Sequence, residues 1–157
     1  MRKFKQIETF TINRMTTLTK FNNTLNEFIL NLQDIIQDDY PEMVRSIASF
    51  REQLELLRKA NPKKIIDSFI YFIYPYREEI MNQKEDFFLK HDFQTEIEDS
   101  GFTSLVDVLH IKEIWIQYSN EQMKQTIWEY FQILILLSER WMEEKGGKQN
   151  FTFQPHK

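Results

Sequence analysis

The sequence has no cysteine, 3 glycines and 4 prolines among its 157 residues. The absence of cysteine excludes disulfide bonds, thiolate zinc sites and cysteine nucleophiles. The scarcity of glycine argues against glycine-rich phosphate-binding loops, and few tight hairpins are expected when glycine and proline are both rare. At this length we expect one domain with a core of its own that needs no covalent staples.

Charge and apolar runs are also modest. The chain has 20 Lys and Arg residues against 24 Asp and Glu residues, and a net charge of −4 is not typical of a general nucleic-acid binder. The start MRKFKQIETF contains no uninterrupted apolar stretch of the kind found in signal peptides. The longest apolar runs, 68–76 and 130–138, are far shorter than a bilayer span. We therefore expect a soluble intracellular protein with no membrane-spanning segment.

Apolar residues recur at helical spacing in three long segments. The steps of three and four predict helices over about 13–37, from Pro41 to about 59, and from about 120 to 145. Gly146 and Gly147 are suited to ending the last of these, because glycine readily adopts a positive φ. The apolar stripes consist of Leu18, Phe21, Leu25, Phe28, Leu32 and Ile35, then Met43, Ile47, Phe50, Leu54 and Leu57, and finally Met123, Ile127, Tyr130, Leu134, Leu137 and Trp141.

The middle of the chain predicts further helices. A third runs from the pair Asn61 and Pro62 to about 74, where Pro75 ends or kinks it. A fourth covers about 76–90, and a fifth begins near 103 and turns 111–115 inward. A capping box at 119–122 predicts Ser119 as the N-cap of the last helix.

The predicted fold is all-α, because only 8–12 alternates as a strand would. We expect an antiparallel bundle of five to six helices with short connections. Its domain limits are an N-terminal arm at 1–12, a single bundle domain at 13–147 and a flexible C-terminal tail at 148–157.

Ionisable residues offer one weak metal candidate. Asp107, His110 and Glu113 fall on one predicted helix and could form half of a helical carboxylate–histidine site, but no second such pair exists in the chain to complete it. A surface histidine with acidic neighbours is therefore favoured. The carboxylate pairs are adjacent in sequence and do not face one another as catalysis requires. We expect no metal, no cofactor and no enzymatic activity.

A basic segment is the best anion-binding candidate. It places Arg58, Lys59, Lys63 and Lys64 around the predicted start of the third helix, where free N–H groups also attract phosphate. The alternative is that these charges complement one helix end and keep the turn soluble. Nucleic-acid contact is the less favoured interpretation, because the segment has no interleaved aromatic residues.

Aromatic residues concentrate between the third helix and the last. Large rings of this kind are typical of both cores and protein interfaces. We expect Ile66, Phe69, Ile70 and Ile73 to be core, and Trp128 to be the most outward of the three tryptophans. The predicted partner-binding residues are Tyr71, Tyr74, Tyr76, Phe87, Phe88 and Trp128.

Four short motifs carry a resemblance to a known family. They are KANP at 59–62, PYREEI at 75–80, DFFLKHD at 86–92 and IWEYFQILILLS at 127–138. On these motifs, and over 18–141 in general, the chain resembles a family of small helical proteins of unassigned function that are encoded by large DNA viruses of algae and other protists. The resemblance implies a helical, non-enzymatic viral protein, and it transfers no active site.

The expected function is accordingly a protein–protein interaction or structural module of a large DNA virus, such as a minor virion component. Its expected partners are other viral or host proteins, with a homo-oligomer as a further option, in the host cell cytoplasm or the virion. The alternative is a nucleic-acid-associated accessory protein that uses the basic segment. A helical inhibitor of host signalling is compatible with the fold class but has no sequence mark.

Overall fold

A computed structural model describes residues 15–38, 40–89, 111–117 and 120–155. These residues are mostly helical and include no strand. The prediction of an all-α chain is confirmed at this level, whereas the antiparallel five- to six-helix bundle stays a prediction. Within the same residues, none of the helices is both long enough and apolar enough to cross a bilayer.

The described residues form seven α-helices and two short 3₁₀ segments. The 3₁₀ segments are Tyr74–Tyr76 and Lys148–Asn150. The α-helices are α1 (Thr17–Ile36), α2 (Pro41–Ala60), α3 (Lys63–Phe72), α4 (Arg77–Met81), α5 (Asp86–Leu89), α6 (Ile111–Gln117) and α7 (Glu121–Glu144).

Local sequence explains most helix ends. Helix α1 begins after Thr16, whose hydroxyl oxygen accepts a hydrogen bond from the Thr19 N–H at 3.1 Å. Helix α2 has Pro41 in its first turn, as predicted. The N-cap of α7 is Asn120 rather than the predicted Ser119, since Asn120 Oδ1 accepts from the Gln122 N–H at 2.8 Å. After α7, Gly146 and Gly147 have φ values of 99° and 115°, which confirms their predicted role.

The predicted single helix over 76–90 is wrong. Pro75 lies in a 3₁₀ turn, and α4 ends after five residues at Met81, with Asn82 as its C-cap. Gln83 then takes a φ of 54°, in the left-handed region where an α-helix cannot continue. Helix α5 starts only at Asp86. This interruption is one reason why the described part of the chain has more helical segments than the sequence predicts.

Helices α1 and α7 run in opposite directions along each other. Thr17 at the start of α1 donates a hydrogen bond from its hydroxyl to Glu144 Oε1 at the end of α7, at 2.6 Å. Further along, the Asn31 side-chain amide donates to the Tyr130 hydroxyl. Helix α2 packs on α1, and α3 contacts α1, α2 and α7. The predicted core residues of α3, together with Ile73, are buried.

An aromatic cluster fills the space where α5, α6 and α7 meet. Phe88 has no exposed surface, and its ring centroid lies 4.9 Å from that of Trp115 and 4.6 Å from that of Trp128. Phe87 and Phe131 complete the cluster, at 5.0 and 5.2 Å from Phe88. Large rings therefore fill the space between these helices, and their edge-to-face and tilted contacts add to the burial of apolar area.

Burial in the core corrects several predicted partner-binding residues. Tyr74, Phe87, Phe88 and Trp128 are buried in the chain's own core, so they cannot form an exposed partner surface in this fold. Tyr71 and Tyr76 are half-buried and pack on the same core. Trp128 is 3% exposed against 6% for Trp141, so the expectation that it is the most outward tryptophan is wrong.

The described part of the C-terminal tail, 148–155, is docked rather than loose. The Gln154 N–H donates a hydrogen bond to the Tyr71 carbonyl oxygen at 2.9 Å, and the Phe153 ring lies 5.7 Å from that of Tyr74. Lys148 sits above the Tyr74 ring at 5.2 Å. Phe151 and Phe153 pack against the core, and the expectation of a flexible tail did not take these two apolar side chains into account.

Candidate binding cleft

A cleft of about 170 Å³ lies between α1 and α2 and reaches the first turn of α3. Its floor is apolar and buried, and its upper walls are polar. The floor consists of Leu25, Ile29, Leu54 and Ile65. The polar walls consist of Asn22, Asn23 and Asn26 from α1, and Arg51, Glu55 and Arg58 from α2.

Helical spacing aligns the side chains of each polar wall on one face of its helix. Asn22 and Asn26 are four residues apart on α1, and Arg51, Glu55 and Arg58 follow at four and three residues on α2. Side chains at these spacings share one helix face. Since α1 and α2 pack together along their apolar stripes, the polar rows beside the stripes line the two sides of one cleft.

Arg51 is the cationic group of the cleft. Its Nε donates a hydrogen bond to Asn26 Oδ1 at 3.0 Å, which fixes the plane of the guanidinium. No carboxylate of the described residues forms an ion pair with Arg51. The terminal N–H groups of the guanidinium are therefore oriented and available, in the fork geometry that suits a carboxylate.

Arg58 and Glu55 neutralise each other. Arg58 Nε donates to Glu55 Oε2 at 3.0 Å, and Nη2 donates to Oε1 at 2.5 Å. This paired hydrogen bond is the main reason that the pKa of Glu55 is lowered and the pKa of Arg58 is raised. Two arginines and one glutamate thus leave the cleft with one net positive charge, which belongs to Arg51.

Asn22 is the buried polar group of the cleft. The residue is 8% exposed, and its Oδ1 accepts no hydrogen bond from any of the described residues. A buried acceptor left in that state costs about 1–3 kcal/mol of stability. A ligand that brings an N–H group into the cleft would remove this cost. The arrangement can therefore recognise a group that combines one negative charge, one N–H donor and an apolar portion.

The predicted anion-binding residues are only partly brought together. Arg58 lines the cleft, where its charge is matched by Glu55. Lys59, Lys63 and Lys64 are exposed around the turn between α2 and α3, and none forms an ion pair with a described carboxylate. Pro62, the N-cap of α3, provides no side-chain hydrogen bond.

The candidate metal residues do not form a described site. Asp107 and His110 lie outside the described residues, and Glu113 is exposed on α6. In the ranges that the structure covers, no group of three or more His, Asp or Glu side chains could hold a metal ion.

Sequence reasoning missed the asparagines and Arg51. The available signal was Asn22 itself, which follows Phe21 and lies beside an otherwise apolar stripe with Asn26 one turn later. A polar residue at such a position is worth attention because buried polar groups usually have a partner. The facing row on α2 could not be paired with it before the contact between the two helices was known.

Comparisons with known proteins add no relative. No protein-family model matches the chain. The curated proteins and the solved structures give no match either.

Proposed function

We propose that the protein is a non-enzymatic helical module that binds another protein, and that the cleft between α1 and α2 is its binding site. The observation that carries the proposal is that two polar groups line the same cleft above an apolar floor. They are the Asn22 side-chain oxygen, which accepts no hydrogen bond from the described residues, and the Arg51 guanidinium, which forms no ion pair with a described carboxylate. Binding sites typically combine an apolar lining with a few placed polar groups.

The resemblance of 18–141 to helical proteins of large DNA viruses supports a narrower proposal. In it, the chain is an antiparallel helical bundle that serves as an interaction or structural module of such a virus, as a minor virion component. Its partners are then viral or host proteins in the host cytoplasm or the virion.

Site-specific photo-crosslinking tests the binding role. A photoreactive phenylalanine analogue replaces Asn23, an exposed residue of the cleft, and in a matched variant it replaces Glu129, which is exposed on α7. Both variants are irradiated in an extract of the cells that produce the protein. We expect one polypeptide to be captured at position 23 and not at position 129.

Two outcomes would contradict the proposal. Capture of the same polypeptide at both positions would show contact without a preferred site. Capture of nucleic acid at position 23 would exclude a protein as the occupant. Circular dichroism of both variants checks that the helical content is unchanged.

A second candidate function is nucleic-acid association through the turn between α2 and α3. The specific observation in its favour is that Lys59, Lys63 and Lys64 are exposed and have no carboxylate partner among the described residues. Three such cations beside the N-terminus of α3 could hold phosphates.

Salt dependence tests this second candidate. If phosphates are bound, replacing Lys63 and Lys64 by Gln reduces the slope of log K against log salt by up to about two units. A replacement of Lys20, a half-buried lysine of α1 outside the basic segment, by Gln leaves the slope unchanged. Failure of the chain to bind either duplex or single-stranded DNA at low salt would eliminate this function.

A further inference from the structure

We propose that the cleft captures the C-terminal residue of its partner polypeptide. In this arrangement the α-carboxylate pairs with Arg51, the last backbone N–H donates to Asn22 Oδ1, and the apolar side chain lies on the floor of the cleft. The inference rests on the proposed function, since it specifies which part of a partner protein is bound.

The charge of the cleft matches one carboxylate. Arg51 supplies the single net positive charge, and its terminal N–H groups can donate two parallel hydrogen bonds to the two oxygens of a carboxylate. The hydrogen bond from Nε to Asn26 holds the guanidinium plane before the ligand arrives, so less conformational entropy is lost on binding. A phosphate group carries up to two negative charges, and the single net positive charge of the cleft would leave part of that charge unmatched.

Asn22 provides the acceptor for the backbone N–H of the bound residue. Its buried oxygen is the acceptor of the cleft that the described residues leave unsatisfied. The terminal torsion of an asparagine side chain is broad, so the carboxamide can turn its oxygen toward a group that enters the cleft. The bond formed there replaces an unsatisfied acceptor with a satisfied one, which favours ligands that have an N–H next to their negative charge.

The size of the cleft limits the occupant to about one residue. A volume of about 170 Å³ is below the roughly 300–1,000 Å³ of pockets that hold drug-sized ligands. A floor of Leu25, Ile29, Leu54 and Ile65 favours an aliphatic or aromatic side chain. A nucleotide is too large and too highly charged for this space.

A chain end fits better than an internal acidic residue. At a C-terminus the carboxylate, the N–H and the side chain are all attached to one α-carbon, so an apolar last residue presents all three groups together. An internal Asp or Glu uses its side chain for the carboxylate and has no apolar side chain left for the floor. Capture of a terminal carboxylate is an established mode of peptide recognition.

Fluorescence anisotropy with short peptides tests the inference. The probes are labelled tetrapeptides Gly-Ser-Gly-Xaa that end in Leu, Ile, Val or Phe with a free carboxylate. The same peptides with a C-terminal amide, and an internal-acid peptide Gly-Asp-Ser-Gly amide, are the comparison. We expect at least one free-acid peptide to bind, and its amide and the internal-acid peptide to bind about ten- to a hundredfold more weakly, as the loss of a charged hydrogen bond predicts.

Variants of the chain separate recognition from folding. We expect Arg51→Gln to weaken the binding of the free-acid peptide by a similar factor and to leave the binding of the amide peptide unchanged. The matched control is Arg45→Gln, an exposed arginine of the same helix outside the cleft, which should bind as the parent does. Asn22→Leu should bind more weakly although it unfolds at no lower temperature, a combination that a purely structural Asn22 would not produce.

Several results would overturn the inference. They are equal binding of acid and amide, tighter binding of the internal-acid peptide, an unaltered affinity in Arg51→Gln, or no binding of any of the four free acids at about 1 mM, where even weak recognition is measurable. If a polypeptide is still captured at position 23, the proposed function stands and only the nature of the occupant is wrong. If that capture also fails, both fall.

Discussion

The aromatic cluster around Phe88 and the cleft between α1 and α2 differ in how they appear in the sequence and in what they do in the fold. The cluster is conspicuous in the sequence, yet its rings are buried against each other. The cleft is built from asparagines and an arginine that draw little notice in the sequence, yet it combines a buried unsatisfied oxygen with an oriented cation. Aromatic content therefore indicates where this chain is stable, and unsatisfied polar groups indicate where it can bind.

The largest effect is expected from a substitution that disrupts the aromatic cluster. Phe88→Ala removes a fully buried ring that contacts Phe87, Trp115, Trp128 and Phe131. We expect the free energy of unfolding to fall by about 3–5 kcal/mol, because the lost burial adds to the cost of the cavity left behind. Urea unfolding followed by circular dichroism measures it.

The control for this variant is Leu56→Ala, since Leu56 is 68% exposed. We expect that substitution to change stability by less than about 0.5 kcal/mol. A small effect of Phe88→Ala, comparable to that of Leu56→Ala, would mean that Phe88 lies on the surface, as the sequence led us to expect.

A smaller effect of opposite sign is expected in the cleft. Asn22→Leu replaces the buried, unsatisfied carboxamide with an apolar side chain over an apolar floor. We expect a gain of about 1 kcal/mol in the free energy of unfolding. The exposed neighbour Asn23 provides the matched control, because Asn23→Leu should be nearly neutral. Destabilisation by Asn22→Leu would show that the Asn22 carboxamide holds the fold together.

The smallest effect concerns Tyr74, which was expected to contact a partner and is buried instead. Burial is the main cause that raises its pKa above the usual value near 10, with the hydrogen bond from its hydroxyl to Glu139 adding to this. The unfolded chain therefore loses the Tyr74 proton first as the pH rises. Stability is fully present below about pH 10 and is lost above it, at no more than about 1.4 kcal/mol per pH unit for one group.

Urea unfolding at pH 7 and at several values above 10 checks this expectation. Tyr74→Phe should make the alkaline decline shallower, and the remaining decline includes Tyr130, whose pKa burial also raises. At pH 7 the variant reports only the lost contact with Glu139. An alkaline slope identical in parent and variant would show that Tyr74 is accessible to water, contrary to the buried position found here.

The long helices could be predicted from the sequence because their signals are local. The apolar stripes located α1, α2 and α7, Pro41 marked the start of α2, and Gly146 and Gly147 marked the end of α7. The short helices α4 and α5 could not be separated in advance. Their boundary depends on the left-handed turn at Gln83, a residue type with no strong preference for that conformation.

The local sequence pattern could not predict which aromatic rings are buried and which are exposed. Around 65–76 large apolar side chains occur on all sides of the helix, so periodicity does not identify a surface face. Phe87 and Phe88 occupy a four-residue helix whose burial is decided by α6 and α7. The sequence marks Arg58 as part of a basic segment, but its pairing with Glu55 and the proximity of Arg51 to Asn26 depend on how side chains pack in the fold.

The central claim is that this chain binds through the cleft and not through its aromatic cluster. Side-chain amide and indole N–H signals in a ¹⁵N-labelled sample report on both regions at once when the free-acid peptide Gly-Ser-Gly-Leu is added. The account predicts that the signals of Asn22, Asn23 and Asn26 shift with a common saturation curve while those of Trp115 and Trp128 stay in place. Shifts at Trp115 and Trp128 with unmoved asparagine signals would contradict it.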